Sequence, residues 1–151
     1  MLSLTVEYAL RAMTNLASLP PGEAANSESI AAQTKVPHGY LSKVLRSLTV
    51  AELIVSRRGP NGGFTLALAP SRISMLDVVN AVEPLKRITK CPLGNPGHLA
   101  LCPLHSRLDN AIALIEREFA ETSLAEVIAT AGKASAQCRT LVALKVKKER
   151  R

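Results

Sequence analysis

The stretch PHGYLSKVLRSLTVAELIVSRRGPNGGFTLAL, residues 37–68, decides the fold of this chain. In its first half, apolar residues recur at i, i+3, i+4 and i+7, which predicts a helix with one face against a core; they are Leu41, Val44, Leu45 and Leu48. Pro37 suits the first position of that helix, because a proline there loses no hydrogen bond. A shorter helix, capped by Ser27, is predicted to run to about Thr34, with a turn at Val36 between the two. This is the helix-turn-helix pattern, whose second helix enters the major groove.

The second half of the stretch, residues 53–68, predicts a β-hairpin. Two β-prone runs flank the glycine-rich tip GPNGG, and apolar and smaller residues alternate from Phe64 to Leu68. Arg57 and Arg58 stand just before the tip, where small residues let the backbone approach phosphates and an arginine can enter the narrow minor groove. We interpret the hairpin as a wing, although a hairpin taken alone could also carry solvated arginines with no partner.

Length and composition limit the class of protein. The 151 residues, 47% of them hydrophobic, suffice for one domain with a core or for a small domain with an assembly element. The sequence has no run of eighteen apolar residues and no cleavable leader, so we expect a cytoplasmic protein that does not enter a membrane. Three cysteines, an odd number, fit metal or redox chemistry in a reducing compartment better than a disulfide framework.

The net charge of +7 is concentrated in two segments. Residues 35–90 hold nine Lys or Arg against three Asp or Glu, and residues 133–151 hold seven against one. The first segment coincides with the helix-turn-helix and the hairpin, and its excess of cations favours a polyanionic partner. The second has the composition of a solvated terminal tail.

The rest of the chain predicts four further helices. The first is predicted to run from Leu4 to Leu19. A Ser74/Asp77 capping box predicts the second, from Met75 to Pro84. Pro103 is predicted to begin a long helix, and a Ser123/Glu126 capping box predicts a short helix that ends near Gly132.

The predicted fold class is therefore mainly α: a winged helix-turn-helix domain with a small β-hairpin wing, plus a long dimerisation helix. We expect four parts, namely the winged helix-turn-helix DNA-binding domain over 1–83, a Cys/His sensor loop over 84–105, the dimerisation helix and a short capping helix over 106–132, and a basic tail over 133–151.

An apolar stripe on the long helix predicts a homodimer. Its members step by four, three, four and four residues, the spacing that suits a partner helix: Leu104, Leu108, Ala111, Ile115 and Phe119. The stripe could instead pack on the domain's own core. We favour dimerisation because residues upstream already supply most of that core.

The segments YLSKVLRSL and LIVSRRGPNGGFTLA resemble the Rrf2 family of winged-helix transcription regulators, which includes the IscR-like and NsrR-like sensors. The resemblance runs from Leu4 to about Thr130, and the RG-x-x-GG wing is its most specific part. It implies a homodimeric regulator, expected to be a repressor, that binds palindromic double-stranded promoter DNA through the second helix and the wing. The DNA-contacting residues that it implies are Pro37, His38, Gly39, Tyr40, Ser42, Lys43, Arg46, Arg57, Arg58, Gly59, Asn61 and Gly62.

The loop CPLGNPGHLALCPLH, residues 91–105, holds two of the three cysteines and two of the three histidines. In sensor members of the family such a loop ligates an iron-sulfur cluster. Cys91 and Cys102 match the first and last of three family cysteines, His105 matches a histidine of the IscR-like branch, and Glu7 matches an acidic ligand from the partner's first helix. Gly97 and His98 replace the middle cysteine. The resemblance thus implies a 2Fe-2S rather than a 4Fe-4S cluster, with His98 as a further candidate ligand.

Other interpretations of this loop stay open from the residues alone. Cys91 and Cys102 could form a reversible disulfide without any cluster, two Cys and two His also suit zinc, and the loop could bind nothing. Cys138 lies in the tail and is predicted to be an uninvolved thiol.

Two other functional classes find little support. The chain lacks the His-x-Glu and Pro-Cys-x-x-Cys motifs of a zinc deaminase, and it has neither a Walker loop nor a nucleophile elbow, so we expect no enzyme. With two Tyr, two Phe and no Trp it offers little aromatic surface for stacking single-stranded bases.

Overall fold

The computed structural model describes residues 2–92, 94 and 100–134, and for 131–134 the helical backbone only. The helices are α1 (Leu4–Ala17), α2 (Ser27–Thr34), α3 (His38–Val50), α4 (Met75–Val82), α5 (Pro103–Glu121) and α6 (Leu124–Ala134). Strands β1 (Ile54–Arg57) and β2 (Gly63–Leu66) form a two-stranded antiparallel sheet. A single 3-10 turn, Pro70–Arg72, leads from the sheet to α4. The predicted mainly α class with a winged helix-turn-helix is confirmed.

The core lies where α1, α2, α3 and β1 meet, with residues preceding and within α4 and α6 closing it. The apolar face of α3 that the spacing predicts is buried, with Leu41 and Leu48 wholly inaccessible to solvent. Met13 of α1 and Ile30 of α2 are equally inaccessible. Among the described residues, none of the helices has both the length and the apolar composition needed to cross a membrane.

Two helix starts differ from prediction by one residue. Asn26, not Ser27, caps α2: its side-chain oxygen accepts the N–H of Ser29 at 2.8 Å. Pro37 is the cap of α3 rather than its first residue, because its backbone is extended (ψ 135°) and its carbonyl accepts the N–H of Leu41 at 3.0 Å. Asn caps a helix as well as Ser does, so the sequence offers two adjacent candidates and only the chain path selects one.

Two predicted ends also shift. α1 ends at Ala17, two residues before Leu19; the N–H of Leu19 bonds to the carbonyl three residues back, that of Leu16 at 3.3 Å, and Pro20 follows. β2 ends at Leu66, and Leu68 is an exposed residue beyond it. All four β2 residues are half-buried, so the strict alternation expected for this strand is absent.

Both predicted capping boxes are confirmed. The hydroxyl of Ser74 accepts the N–H of Asp77 at 3.1 Å, and the Asp77 carboxylate accepts the N–H of Ser74 at 2.8 Å. Ser123 and Glu126 make the same exchange at 3.3 and 2.7 Å. The backbone and hydroxyl of Ser123 bond to the charged carboxylate and so hold the pKa of Glu126 below its usual range.

The N-termini of α4 and α6, which carry the two capping boxes, are also hydrogen-bonded to each other. The N–H of Met75 donates to the carbonyl of Thr122 at 2.9 Å, and the N–H of Leu124 donates to the carbonyl of Ile73 at 2.9 Å. Leu124 is wholly buried in the core of the winged-helix domain. α4 and α6 therefore begin side by side. The residues that connect them along the chain include Cys91, Cys102 and α5.

Candidate nucleic-acid interface and metal centre

The outer face of α3 presents the residues predicted to read DNA. Burial of the apolar face turns the polar side chains outward, and every predicted residue from Pro37 to Arg46 on this face is exposed. The Ser42 hydroxyl donates to the carbonyl of His38 at 3.0 Å. Tyr40 is 58% exposed, and its ring centroid lies 5.9 Å from that of Tyr8 on α1. This aromatic contact, which carries no motif in the sequence, places the ring of Tyr8 beside Tyr40 near the start of α3.

The turn between α2 and α3 has a backbone that the sequence did not predict. Lys35 adopts the left-handed conformation (φ 59°, ψ 29°), which residues other than Gly, Asn and Asp seldom adopt. Val36, the next residue, is buried and anchors the turn. The angle between the two helices therefore depends on a strained lysine held by core packing.

The wing is a hairpin with a tight tip. Its register pairs Ile54 with Leu66 and Arg57 with Gly63. A turn closes the tip, with the N–H of Gly62 donating to the carbonyl of Gly59 at 2.9 Å. Four of the five residues predicted to touch DNA here are exposed, namely Arg57, Arg58, Gly59 and Asn61, while Gly62 is half-buried.

A backbone pairing that the sequence analysis missed fixes the base of the wing. Phe64 exchanges two hydrogen bonds with Ala25, at 2.8 and 3.1 Å, so an isolated antiparallel bridge joins the segment before α2 to β2. Gly63 has a φ of 146°, and a Cβ there would lie 2.6 Å from the carbonyl oxygen of Ala25. The close approach requires a glycine, and it ties the wing to the start of the helix-turn-helix.

The cations of this surface are free to meet a polyanion. Lys43 and Arg46 on α3, and Arg57 and Arg58 on the wing, are exposed. The ion pairs found in the described part of the chain involve Arg11 and Arg87 instead. Positive charge is thus available where phosphates would lie.

Three of the five predicted metal ligands lie together. The ligand atoms of Cys91, Cys102 and His105 all fall within 4.8 Å of one another. His105 Nδ1 is 3.1 Å from the sulfur of Cys102 and 3.8 Å from that of Cys91. Both cysteines are free thiols and half-buried. Two thiolates and an imidazole make a donor set that suits zinc or an iron-sulfur centre.

The other two predicted ligands lie elsewhere. Glu7 is an exposed residue that pairs with Arg11 one turn along α1, outside the cysteine cluster of its own chain. Its predicted role concerns the site of a partner subunit and stays a prediction. His98, together with Cys138 and tail residues 135–151, lies outside the described residues.

Two elements position the three ligands. Cys102 is the N-cap residue of α5, with Pro103 at the first helical position, and His105 follows in the first turn. Cys91 ends the segment that follows α4. That segment is tied to α5 through Asp109, whose carboxylate accepts from Arg87 and from the backbone of Ile88.

The same contacts shift two pKa values. The Arg87 guanidinium, followed by the N–H of Ile88, lowers the pKa of Asp109 to about 2. The hydrogen bonds that Arg87 donates to Asp109 in turn raise the pKa of Arg87. Both groups therefore stay ionised throughout the physiological range.

The apolar stripe of α5 lies on the surface of the single chain. Leu104 is 64% exposed and Leu108 47%, and no residue of α5 is buried. Towards its C-terminal half the helix borders an apolar groove of about 590 Å³. Its lining is Leu2, Leu85, Ile112, Leu114, Ile115, Glu118 and Phe119.

Residues 2–130 match the sequence model of the Rrf2 family, described as iron-dependent transcriptional regulators. A Mycobacterium tuberculosis protein named as an HTH-type transcriptional regulator is 34% identical over 95 residues, which are 62% of this chain and 59% of that protein. The match thus spans less than two thirds of this relative's length. An Aquifex aeolicus protein with the same description is 29% identical over 133 residues, 82% of this chain and 88% of its own.

Solved structures share the fold. T. potens IscR superposes with a TM-score of 0.75 at 24% identity, covering 89% of this chain and 90% of its own. CymR, the global cysteine regulator of B. subtilis, gives 0.74 at 21% identity, with coverage of 86% and 97%. The oxidised form of Staphylococcus aureus CymR gives 0.67 at 23% identity, with coverage of 85% and 95%.

The wing turn generates a test on stability. In Gly62→Ala the new Cβ would lie 2.5 Å from the carbonyl oxygen of Arg57 and 2.8 Å from that of Gly59, so the tip must distort. We expect a loss of about 1 to 3 kcal/mol in unfolding free energy. Gly39→Ala is the control, because no atom lies within 4 Å of its Cβ and the residue is helical. Thermal unfolding measures both variants, and equal melting temperatures would contradict the close packing of the tip.

Proposed function

The chain belongs to the Rrf2 family of transcriptional regulators, and on that premise we propose that it is a homodimeric cytoplasmic repressor that senses redox, nitric oxide or iron-sulfur status. Two thiols and an imidazole form its sensor, and α3 with the wing reads double-stranded promoter DNA. The observation that carries the sensing proposal is the convergence of Cys91, Cys102 and His105. Regulation of transcription follows from family membership, which also sets aside the enzyme alternative.

The exposed face of α3 is proposed to enter the major groove. Lys43 and Arg46 supply charge for phosphates or base edges, and Tyr40 and Ser42 supply hydroxyl groups. The Ser42 hydroxyl already donates within the helix, so towards a base it offers acceptor lone pairs unless it rotates. Arg58, at the boundary between β1 and the glycine tip, is proposed to enter the minor groove.

The stripe of α5 is proposed to meet its own copy across a two-fold axis. A helix of 19 residues with no buried residue leaves its apolar side chains in water, an arrangement that favours a partner. Because one face must be complementary to itself, the same residues contribute from both subunits. The groove beside Leu85 and Phe119 lies on the same helix and extends the apolar surface available to the second copy.

Cys91, Cys102 and His105 are proposed to hold a 2Fe-2S cluster. They supply two thiolates and one nitrogen, and the further ligand would be Glu7 of the partner subunit or His98 of the same chain. Such a centre supplies one-electron chemistry, and non-thiolate ligands raise its potential, which suits redox sensing.

The ligands join two functional parts. Cys91 trails α4, which packs against α1 and α3, whereas Cys102 and His105 begin α5. A group bound by all three would hold the DNA-reading lobe against the proposed dimer helix. Its loss or reduction would change DNA affinity by the difference in its affinity for the two arrangements.

A cluster-free thiol switch is the second candidate. Disulfide formation needs two thiols that can approach each other, and the sulfur of Cys102 lies 3.1 Å from His105 Nδ1 in the same cluster. The two free sulfurs lie within 4.8 Å of each other. The same donor set also fits zinc, so the metal must be measured.

Arg58→Ala tests the DNA-reading surface. On an operator selected from random duplexes, we expect a loss of about 1 to 3 kcal/mol and relaxed preference at the contacted position. Arg72→Ala is the control, since Arg72 is an exposed arginine in the 3-10 turn outside the proposed surface. Fluorescence anisotropy at fixed salt compares operator with scrambled DNA. Equal losses for the two variants would remove the specific role given to Arg58.

Leu108→Asp tests the interface. Two carboxylates would face an apolar contact across the two-fold axis, so we expect a monomer. Leu68→Asp places the same change at an exposed residue near the wing and should leave the dimer intact. Sedimentation velocity distinguishes these states, and a dimeric Leu108→Asp protein would place the interface elsewhere.

Cys91→Ala and Cys102→Ala test the sensor. Anaerobically purified protein should be coloured, and each variant should lose the colour because a cluster needs both thiolates. Cys138→Ala should keep it, and His105→Ala should shift the spectrum. Metal and sulfide analysis decides the occupant: iron with sulfide supports the cluster, zinc without sulfide replaces it, and neither element with a reversible Cys91–Cys102 disulfide supports the thiol switch.

A further inference from the structure

A single carboxylate joins the segment before Cys91 to α5. Asp109 Oδ1 accepts the Nε–H of Arg87 at 2.8 Å, and Oδ2 accepts from Nη2 at 2.7 Å, so the guanidinium and carboxylate meet in a two-pronged pair. Oδ1 also accepts the backbone N–H of Ile88 at 2.8 Å. The carboxylate therefore fixes both a side chain and the backbone of an irregular segment.

These contacts lie one helical turn from the ligands on α5. Asp109 follows His105 by four residues, so the two side chains share a face of the helix. Arg87 precedes Cys91 by four residues and Ile88 precedes it by three. The contact therefore holds the segment along the face of α5 that carries His105. The sulfur of Cys91 then lies 3.8 Å from His105 Nδ1.

The contact between Arg87 and Asp109 is partly shielded from water on the side of the carboxylate. The side chain of Asp109 is only 14% exposed, and its pKa of about 2 keeps it charged. Glu116, two turns further along α5, also accepts from Arg87 at 3.3 Å. Arg87 thus donates hydrogen bonds to two carboxylates of α5. The backbone N–H of Ile88, which lies outside any helix or strand, has the Asp109 carboxylate as its acceptor.

We propose that Asp109 and Arg87 are positioning residues of the sensor site, which hold Cys91 at ligand distance from Cys102 and His105 before any metal or cluster is bound. The proposal rests on the proposed function for the identity of the bound group. The positioning itself is a property of the ligand-free chain, and it is measured there first.

Thiol exchange measures the positioning without a metal. In full-length apo-protein carrying Cys138→Ser, two thiols react with one glutathione disulfide to give the Cys91–Cys102 disulfide and two glutathione molecules, so protons and electrons balance. The equilibrium yields the effective concentration of one thiol at the other. We expect Asp109→Asn to lower it by about fivefold, the size of one partly exposed ion pair. Glu121→Gln, which removes an acid from the same helix far from the contact, should leave it unchanged.

Cobalt(II) provides the second readout. Cobalt bound by thiolates absorbs through sulfur-to-metal charge transfer, so titration of the same apo-proteins reports whether both sulfurs reach one ion. Asp109→Asn should weaken cobalt binding and reduce the band, whereas Glu121→Gln should match the parent protein. Arg87→Gln, which leaves α5 untouched, should repeat the effect of Asp109→Asn and serves if that variant fails to fold.

The outcomes separate this inference from the proposed function. Unchanged effective concentration and cobalt binding in folded Asp109→Asn and Arg87→Gln would overturn the positioning role, even if the parent protein binds a cluster. If the parent protein binds no iron, while both variants lower the effective concentration of one thiol at the other, the positioning role is upheld and the cluster is contradicted. A lower melting temperature with unchanged thiol proximity would assign the pair to stability alone and also overturn the proposal.

Discussion

Burial of one face of α3 is the constraint on which the rest of this molecule depends. Leu41, Val44, Leu45 and Leu48 lie inside the core formed with α1, α2 and β1, and each contributes about 1.5 to 3 kcal/mol when removed from water. With that face fixed, a helix has only one direction in which to point its remaining side chains. Lys43 and Arg46 are therefore presented to solvent by the same packing that stabilises the domain. The wing follows directly, since Ile54 at the start of β1 is part of this core.

α5 follows the opposite principle. It has no buried residue, yet its two ends are held: the return to Leu124 places its C-terminal end on the winged-helix core, and Asp109 ties its first turns to the segment that leaves α4. A helix fixed at both ends, with an exposed apolar stripe, would transmit a change of position to the second copy that we propose covers that stripe. Because the pairing at Ser74 and Ser123 joins the starts of α4 and α6, a shift in the cysteine segment need not unfold the core.

The fold was predictable where the determining forces are local. Apolar spacing places α3, and capping boxes place α4 and α6, because each signal lies within a few residues of the structure it controls. The choice between Asn26 and Ser27 as a cap, the left-handed Lys35 and the pairing of Ala25 with Phe64 depend on where the chain has to go, so the residues alone do not contain them. The cluster of Cys91, Cys102 and His105, here called the triad, was predicted from its residue types and from the family resemblance. The contact of Arg87 with Asp109 joins residues 22 positions apart, and neither carries a motif.

The geometry of the triad limits how a signal could act. The three ligands Cys91, Cys102 and His105 come from two parts of the chain, the segment after α4 and the start of α5, and the contact of Arg87 with Asp109 joins these two parts. A site with loose ligands would use part of the binding free energy of its group to order them, which lowers affinity and couples binding to the position of the lobe. A site whose ligands are already in place would bind its group more tightly, and that binding would be coupled less to the position of the lobe. In the proposed sensor, the strength of the contact between Arg87 and Asp109 would set a balance, because tighter positioning would favour retention of the proposed group while a weaker contact would favour a larger response to its loss.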